Sequence, residues 1–360
     1  MRDNKLTWRN WAKAALLLVP LLLLTLAQPA PNFIERFYSE GLYKGVSSIL
    51  HFLFSWVPFS IGDIFYIAVI VSSVIAVIVT IRAAIRKNFW LAGKTLFRLV
   101  ISTELLIIVF YLFWGLNYSR PPAAELLSLQ DTSYTLSDVK NVTGMIIDSV
   151  NKTRSRINIA DLETSDDSIY TTSAEAIRNI APISSKFKVY LPAVKSSLLS
   201  PLLNYMGTSG YFNPFTGEAQ VNRLMPVFDK PFTACHEMSH QMGFGREDEA
   251  NFVGYLAGVN SKNELLKYSA YYEATIEFLR YLHRRDTTSY KLLKSMLSDA
   301  VKHDLKTDSL YWTRYSGPLG DMSGRFYDSF LKANKQPAGL RTYNRMIRLT
   351  MSWYKKRGIY

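Results

Sequence analysis

From Phe65 to Ile81 the chain reads FYIAVIVSSVIAVIVTI, without one charged residue. A run of this length and composition suits a membrane span better than a surface helix. Leu99–Asn117 (LVISTELLIIVFYLFWGLN) is a second run, with one charge at Glu104. Trp11–Ala30 (WAKAALLLVPLLLLTLAQPA) is a third, and it comes first in the chain. In lipid every backbone polar group must be satisfied inside the segment, so each run is expected as a helix. The expected spans are about 11–30, 65–81 and 99–117. Glu104 should face other helices or the headgroups, because a lipid-facing charge is costly. The basic lead-in to the first run (Arg2, Lys5, Arg9, Lys13) also suits a signal peptide. Pro29 before Ala30 makes a poor cleavage site, so an uncleaved helix is expected. Residues 46–60 (VSSILHFLFSWVPFS) read as an interfacial helix ending near Pro58, or as a core element of the loop.

Charge sets the orientation. Residues 1–120 hold 12 Lys/Arg and 5 Asp/Glu, residues 121–260 hold 11 and 15, and residues 261–360 hold 19 and 9. Arg82, Arg86, Lys87, Lys94 and Arg98 crowd the short link between the second and third runs. The link before it has only Arg36 and Lys44, offset by Glu35 and Glu40. The positive-inside rule then puts the N-terminus and the 82–98 link in the cytoplasm. Three crossings place the region after Arg120 outside the cytoplasmic (inner) membrane, on the periplasmic side. The basic C-terminal hundred residues point to anionic headgroups rather than nucleic acid, given the spans, with a solvated basic face that has no partner as the alternative. The one cysteine, Cys235, excludes an intrachain disulfide. A membrane domain over 1–118, a linker over 119–130 that contains SRPPAAE, and a soluble domain over 131–360 follow.

In the soluble part, Val139, Val142, Ile146, Ile147 and Val150 recur at helical spacing and predict a helix over Leu136–Arg154. A shorter helix is expected over Ser173–Ile180 and a strand over Lys186–Pro192. Turns at Asn213–Pro214 and near Gly217 precede a strand at Ala219–Leu224. Helices are expected over 232–243, 247–259, 262–283, 288–303 and 338–355. The fold class is α+β, helix-rich, with a small sheet.

The chemistry concentrates in PFTACHEMSHQMGFGREDEANFVGYLAG, Pro231–Gly258. HEMSH puts His236 and His240 one turn apart on one helical face, where two imidazoles can share one Zn²⁺. Glu237, about 100° around the helix, can reach a metal-bound water and take its proton. Gly243 and Gly245 let the chain turn back so that EDEAN can bring in a third ligand. Glu247 and Glu249 compete for that role. Glu247 shares its helical face with Ala250, Asn251, Gly254 and Gly258, small residues that favour close approach to the HEMSH helix. Glu249 shares its face with Phe252, Val253 and Leu256, and helical spacing therefore favours Glu247.

HExxH, a glycine turn and E-x-x-x-N together resemble the gluzincin metallopeptidases, in which the Glu of E-x-x-x-D completes the zinc site. GYFNPFTGEAQVN, PFTACHEMSHQMGFGREDEANF and FYDSFLKAN, behind N-terminal spans, resemble the membrane proteins gathered as domain of unknown function 3810. The resemblance covers nearly the whole chain. It implies a zincin-like, zinc-dependent peptidase domain and leaves the substrate open. Asn251 stands where most gluzincins have Asp. It can accept a hydrogen bond from a ligand imidazole but brings no charge.

The resemblance also implies an edge strand at 217–224 (GEAQVNRL) on which an extended peptide pairs, through Glu218, Ala219 and Val221. An ordinary hairpin is the alternative. Asn213 and Thr216 are pocket candidates. Tyr315, Arg325 and Tyr327 lie in YSGPLGDMSGRFYDSF, whose glycines suggest a loop over a cleft. A Tyr or Arg there can stabilise an oxyanion, with packing and surface roles as the alternative. His283 and His303 read as surface residues and Cys235 as a small buried one. The expected function is a membrane-anchored zinc metallopeptidase acting on peptide or protein in the cell envelope. A zinc hydrolase of a cell-wall or lipid amide, and a zinc-clamped scaffold, are the rival readings.

Overall fold

A computed structural model of the chain describes residues 8–26, 30–129, 133–337, 339 and 345–359. The tail of the first apolar run (27–29), the end of the expected linker (130) and most of the start of the last expected helix (338, 340–344) lie outside them.

Helix α1 (Trp8–Leu26) is followed by a helical stretch from Pro31 that passes through a π segment, Ile34–Leu42, into α2 (Tyr43–Phe54). Helices α3 (Ile61–Ile85) and α4 (Phe89–Phe113), 25 residues each, are long and apolar enough to cross a membrane. In α1 the apolar stretch is the shorter Ala15–Thr25, and the helix packs on α4. The α3–α4 hairpin turns at Lys87, whose φ is +58°. Asn88 caps α4 by accepting from the Leu91 N–H at 3.1 Å. Glu104 is buried, as a charge within an apolar hairpin should be.

The region beyond is a helical assembly around a small sheet. Its helices are α5 (Leu136–Arg156) and α6 (Asp166–Asn179), then α7 (Ser200–Met206) after strand β1 (Val194–Ser196). The hairpin β2 (Gly210–Asn213) and β3 (Glu218–Val221) leads into α8 (Lys230–Gln241) and α9 (Glu247–Val259). Then come α10 (Glu264–His283), α11 (Thr287–Ser295), α12 (Asp299–Tyr315), α13 (Pro318–Ala333) and α14 (Arg345–Lys356). Helix α5 starts in a capping box of Thr135 and Asp138. Its five expected core residues are fully buried, against α10.

Several expected elements move. The strand expected at 186–192 is a 3₁₀ turn, Ser185–Phe187, and the true strand starts at Val194. Leu191 takes φ +47°, and Pro192 has no N–H to donate to a ladder. The helix expected at 288–303 is two helices, because Ser298 starts α12 by accepting from the Val301 N–H. The loop expected in YSGPLGDMSGRFYDSF (315–330) is, from Pro318 onward, helix α13.

The sheet order is β1-β3-β2, with β1 parallel and β2 antiparallel to β3. Strand β3 is therefore central. The main chain of Glu218, Ala219 and Val221 already pairs with Asn213, Phe212 and Gly210 on one side. On the other side Ala219 and Val221 lie opposite Val194 and Ser196. A peptide cannot add to that strand, and the edges of the sheet are β1 and β2. Pairing on both sides depends on β1, which lies outside the hairpin.

The described part of the expected linker is packed. Arg120 is 5 % exposed and Ala123 is 0 % exposed. The Arg120 guanidinium holds Glu35 at 2.6 Å. The Ala123 N–H donates to Glu249 at 2.8 Å. At the start of α3, Asp63 accepts from the Leu198 N–H at 2.6 Å, from Ser197 and from Tyr211. At the end of α4, the Tyr111 hydroxyl meets Asn334 Oδ1 at 3.3 Å. The helical assembly thus docks on the end of the α3–α4 hairpin away from its basic turn.

Candidate metal centre

Helix α8 is buried along its whole length, from Lys230 to Gln241, although half of its residues are polar. Such a helix needs partners for every side chain. Gln241 donates to the Ala193 and Gly217 carbonyls at 2.8 and 3.0 Å, and Ser239 donates to the Cys235 carbonyl at 2.7 Å. Cys235 is buried, and burial pushes its thiol up to about 12, so it is an inert packing residue.

Gly243 turns the chain after α8 with φ +82°. A Cβ there would sit 3.0 Å from Asn117 Oδ1 and 3.1 Å from an Arg120 nitrogen. Helix α9 then runs back across α8, and a Cβ on Gly254 would lie 3.2 Å from the His236 nitrogen. Gly254 therefore permits the close approach expected of it. Gly258 does not face α8, because a Cβ there would strike Ala270 of α10.

This crossing brings Glu247 between the two imidazoles. Its Oε2 is 3.2 Å from His236 Nε2, and its Oε1 is 3.8 Å from His240 Nε2. One ligand atom from each of the three residues lies within 4.8 Å of the others. Both imidazoles are oriented from behind. His236 Nδ1 donates to Asn251 Oδ1 at 2.6 Å, and His240 Nδ1 donates to the Phe244 carbonyl at 2.6 Å. With Nδ1 so engaged, each Nε2 faces Glu247. Glu249 turns away to Ala123 and to Arg246, at 3.6 Å.

Burial and Glu247 set the charges. Burial alone would lower His236, but Glu247 and Glu237 outweigh it and hold the imidazole raised. At His240 burial prevails and the pKa is lowered. Burial would raise Glu247, but the two histidines and a hydrogen bond from Tyr327 hold it low. Glu237 is raised, chiefly by burial and then by Glu247, against the His236 charge. Two Nε2 atoms with one carboxylate oxygen suit Zn²⁺, whose binding would displace the proton that His236 shares with Glu247. Among the described residues no other His, Cys, Asp or Glu joins the group.

Two supports of the site come from outside the Pro231–Gly258 segment. The Tyr327 hydroxyl, from α13, donates to Glu247 Oε1 at 2.7 Å. Tyr327 belongs to the segment singled out for an oxyanion stabiliser, yet its partner here is the third ligand candidate. Tyr315 packs instead with Tyr205 and Tyr311, and Arg325 is exposed and bonds the Asp321 carbonyl. The second support caps α8. Trp114 Nε1 donates to the His240 carbonyl at 3.0 Å, Tyr43 to the Gln241 carbonyl at 2.9 Å, and Arg120 to the Met242 carbonyl at 3.0 Å. A helix end leaves such carbonyls unpaired, and here groups from the membrane-proximal segments satisfy them.

The remaining pocket candidates are structural in their contacts. Glu218 pairs with Lys195 at 2.5 Å and accepts from the Gly62 N–H at 2.5 Å and from Thr216 at 2.9 Å. Asn213 accepts from the Phe215 N–H and lies where a Cβ on Gly62 would reach it at 2.6 Å. These residues seat the start of α3. His283 and His303 are exposed, as expected.

Two imidazoles, a downstream glutamate and an adjacent second carboxylate define a gluzincin-type zinc site, carried here in a helix-rich, membrane-associated fold. A family model described as a protein of unknown function (DUF3810) matches residues 38–351. The chain belongs to that family. No curated protein and no solved structure matches it.

Proposed function

We propose that this protein is a membrane-anchored zinc metallopeptidase that hydrolyses peptide bonds on the extracytoplasmic side of the cytoplasmic membrane. The observation that carries this reading is Glu247 set between two back-anchored imidazoles, with Glu237 buried beside them and outside the ligand group. A structural zinc site is closed by four protein ligands, and three leave one position open. His236, His240 and Glu247 are the ligands in this reading, and Asn251 orients His236. Zn²⁺, when bound, supplies an acidified water and polarises a carbonyl. Glu237 would take a proton from the attacking water and pass it to the leaving amine.

The substrate in this reading lies along β2. A Cβ on Gly210 would sit 3.0 Å from Glu237 Cγ, so the edge strand passes the proposed base at van der Waals distance. The Phe212 ring lies 6.2 Å from the His240 ring. Main-chain pairing on an edge strand accepts an extended peptide of many sequences. For topology, α1 is the first of three crossings, with the N-terminus and the 82–98 link cytoplasmic and residues 131–360 the catalytic domain. Docking of that domain away from the basic α3–α4 turn supports this arrangement.

The test is metal analysis with a peptide-library digest of the purified full chain, alongside Glu237→Gln. The expected result is one zinc per chain, cleavage by the wild type, and a fall of about 10²-fold or more in the variant with zinc retained. Wild-type cleavage by Glu237→Gln would refute its role as base. A zinc-loaded wild type that cuts no peptide would refute the peptidase.

A further inference from the structure

Helix α13 leaves a row of large apolar side chains in solvent. Leu319 is 39 % exposed, Met322 58 % and Phe326 75 %. Their spacing puts them on one side of the helix. Helix α7 and its lead-in do the same with Leu198, Leu202 and Tyr205, at 50, 42 and 53 %. The two helices are neighbours, since a Cβ on Gly320 would lie 3.2 Å from the Tyr205 carbonyl oxygen. Six large apolar groups on adjoining helices form a patch of the kind that marks an interaction surface.

The position of the patch says what covers it. Leu198 itself donates its N–H to Asp63 in the first turn of α3. At the other helix, Phe330 packs on Phe110 in the last turn of α4, 6.0 Å between centroids. The start of α3 and the end of α4 lie at the same end of one antiparallel hairpin. The α7–α13 surface is therefore tied at both sides to the level where the two apolar helices leave the bilayer. Exposed Arg325, next to Phe326, suits the phosphate layer there.

We propose that the α7–α13 face is immersed in the headgroup and upper acyl region of the bilayer that α3 and α4 cross. An amphipathic helix in the interface plane buries its apolar side just below the headgroups. Tyr327, the residue after Phe326, turns inward and donates to Glu247. The helix that touches lipid is thus also the helix that buttresses the metal centre, and the centre sits at the membrane surface. This inference rests on α3 and α4 spanning the membrane and is independent of any hydrolytic activity.

Nitroxide labels report immersion directly. The full chain carrying Phe326→Cys or, separately, Leu202→Cys is labelled and reconstituted into phosphatidylcholine–phosphatidylglycerol vesicles. Cys235 is 0 % exposed and does not compete for label. Ser155→Cys on exposed α5 is the aqueous reference, and Ile75→Cys, 55 % exposed on α3, is the bilayer reference. At 326 and 202 the ratio of oxygen to nickel-chelate collisions should be several-fold above that at 155 and should approach that at 75. A ratio equal to that at 155 would show a water-facing surface and overturn the proposal. Exclusion of both relaxants would show a protein partner or a second copy on this face, and would equally overturn it. Failure of position 75 to report lipid would refute the spans and overturn the proposal with them.

Discussion

His236 is held by Asn251, as the E-x-x-x-N spacing suggests, and His240 by the Phe244 carbonyl, whereas the contact that holds Glu247 comes from far along the chain. Glu247 is placed by the α8–α9 crossing and held by Tyr327, while Glu249 is occupied by Ala123 and Arg246. Substitution separates these roles. Glu247→Gln should abolish stoichiometric zinc binding. Glu249→Gln should leave zinc in place and lower stability modestly, because the Ala123 N–H exchanges a charged acceptor for a neutral one and Arg246 loses its ion pair. Tyr327→Phe should keep the fold and weaken zinc by about 10-fold, the lower range for loss of a group that orients a ligand. Competition titration with a chelator measures all three. A larger zinc loss at 249 than at 247 would reverse the assignment.

At the scale of elements, the end of α8 depends on segments that precede it by more than a hundred residues. Arg120 joins the Met242 carbonyl to Glu35, with little exposure on either charged group. Arg120→Ala leaves a helix-end carbonyl without its donor and Glu35 with Lys186 in place of two cations, and should cost about 2 kcal/mol of stability. Arg120→Lys should recover only part of it, since an ammonium lacks the fork geometry. Denaturant unfolding in detergent micelles checks both. Equal stability of Arg120→Ala and wild type would show that the α8 end needs no such cap. Helix α8 itself was legible because its ligands are four residues apart, and that distance is a property of any α-helix. Strand β3 was misread as an edge because β1, which covers its second side, pairs from outside the local hairpin.

For the whole molecule, the apolar helices and the metal-bearing assembly behave as one docked unit, and charge is part of the seam. Burial would raise the Glu35 carboxyl, but Arg120 and Lys186 hold it below the ordinary value of 4.5. A lowered carboxylate contributes stability that is present above its unfolded pKa and is lost as pH falls through the folded one. Wild type should therefore exceed Glu35→Gln in Tm at neutral pH, and the gap should close as pH drops below 4.5. A gap that stays constant down to about pH 3 would show that Glu35 adds no ionic stability. Topology is tested by reporter fusions after Lys94 and after Tyr360, which should fall on opposite sides of the membrane. A cytoplasmic reporter at the C-terminus would overturn the extracytoplasmic placement.

The sequence by itself determined what short-range periodicity can carry. An uncharged run of Phe65–Ile81 can be satisfied in lipid only as a helix, and His236, Glu237 and His240 share a turn whatever surrounds them. Val139, Val142, Ile146, Ile147 and Val150 likewise marked a buried stripe before any partner was known. Only the tertiary structure set Glu247 between the two imidazoles and Glu249 against Ala123, brought Tyr327 onto Glu247, and packed Arg120 and Ala123. It also set Tyr43 and Trp114 on the carbonyls of α8, across 198 and 126 residues of chain. Contacts at that separation follow from which surfaces close on one another, and no repeat in the chain records them.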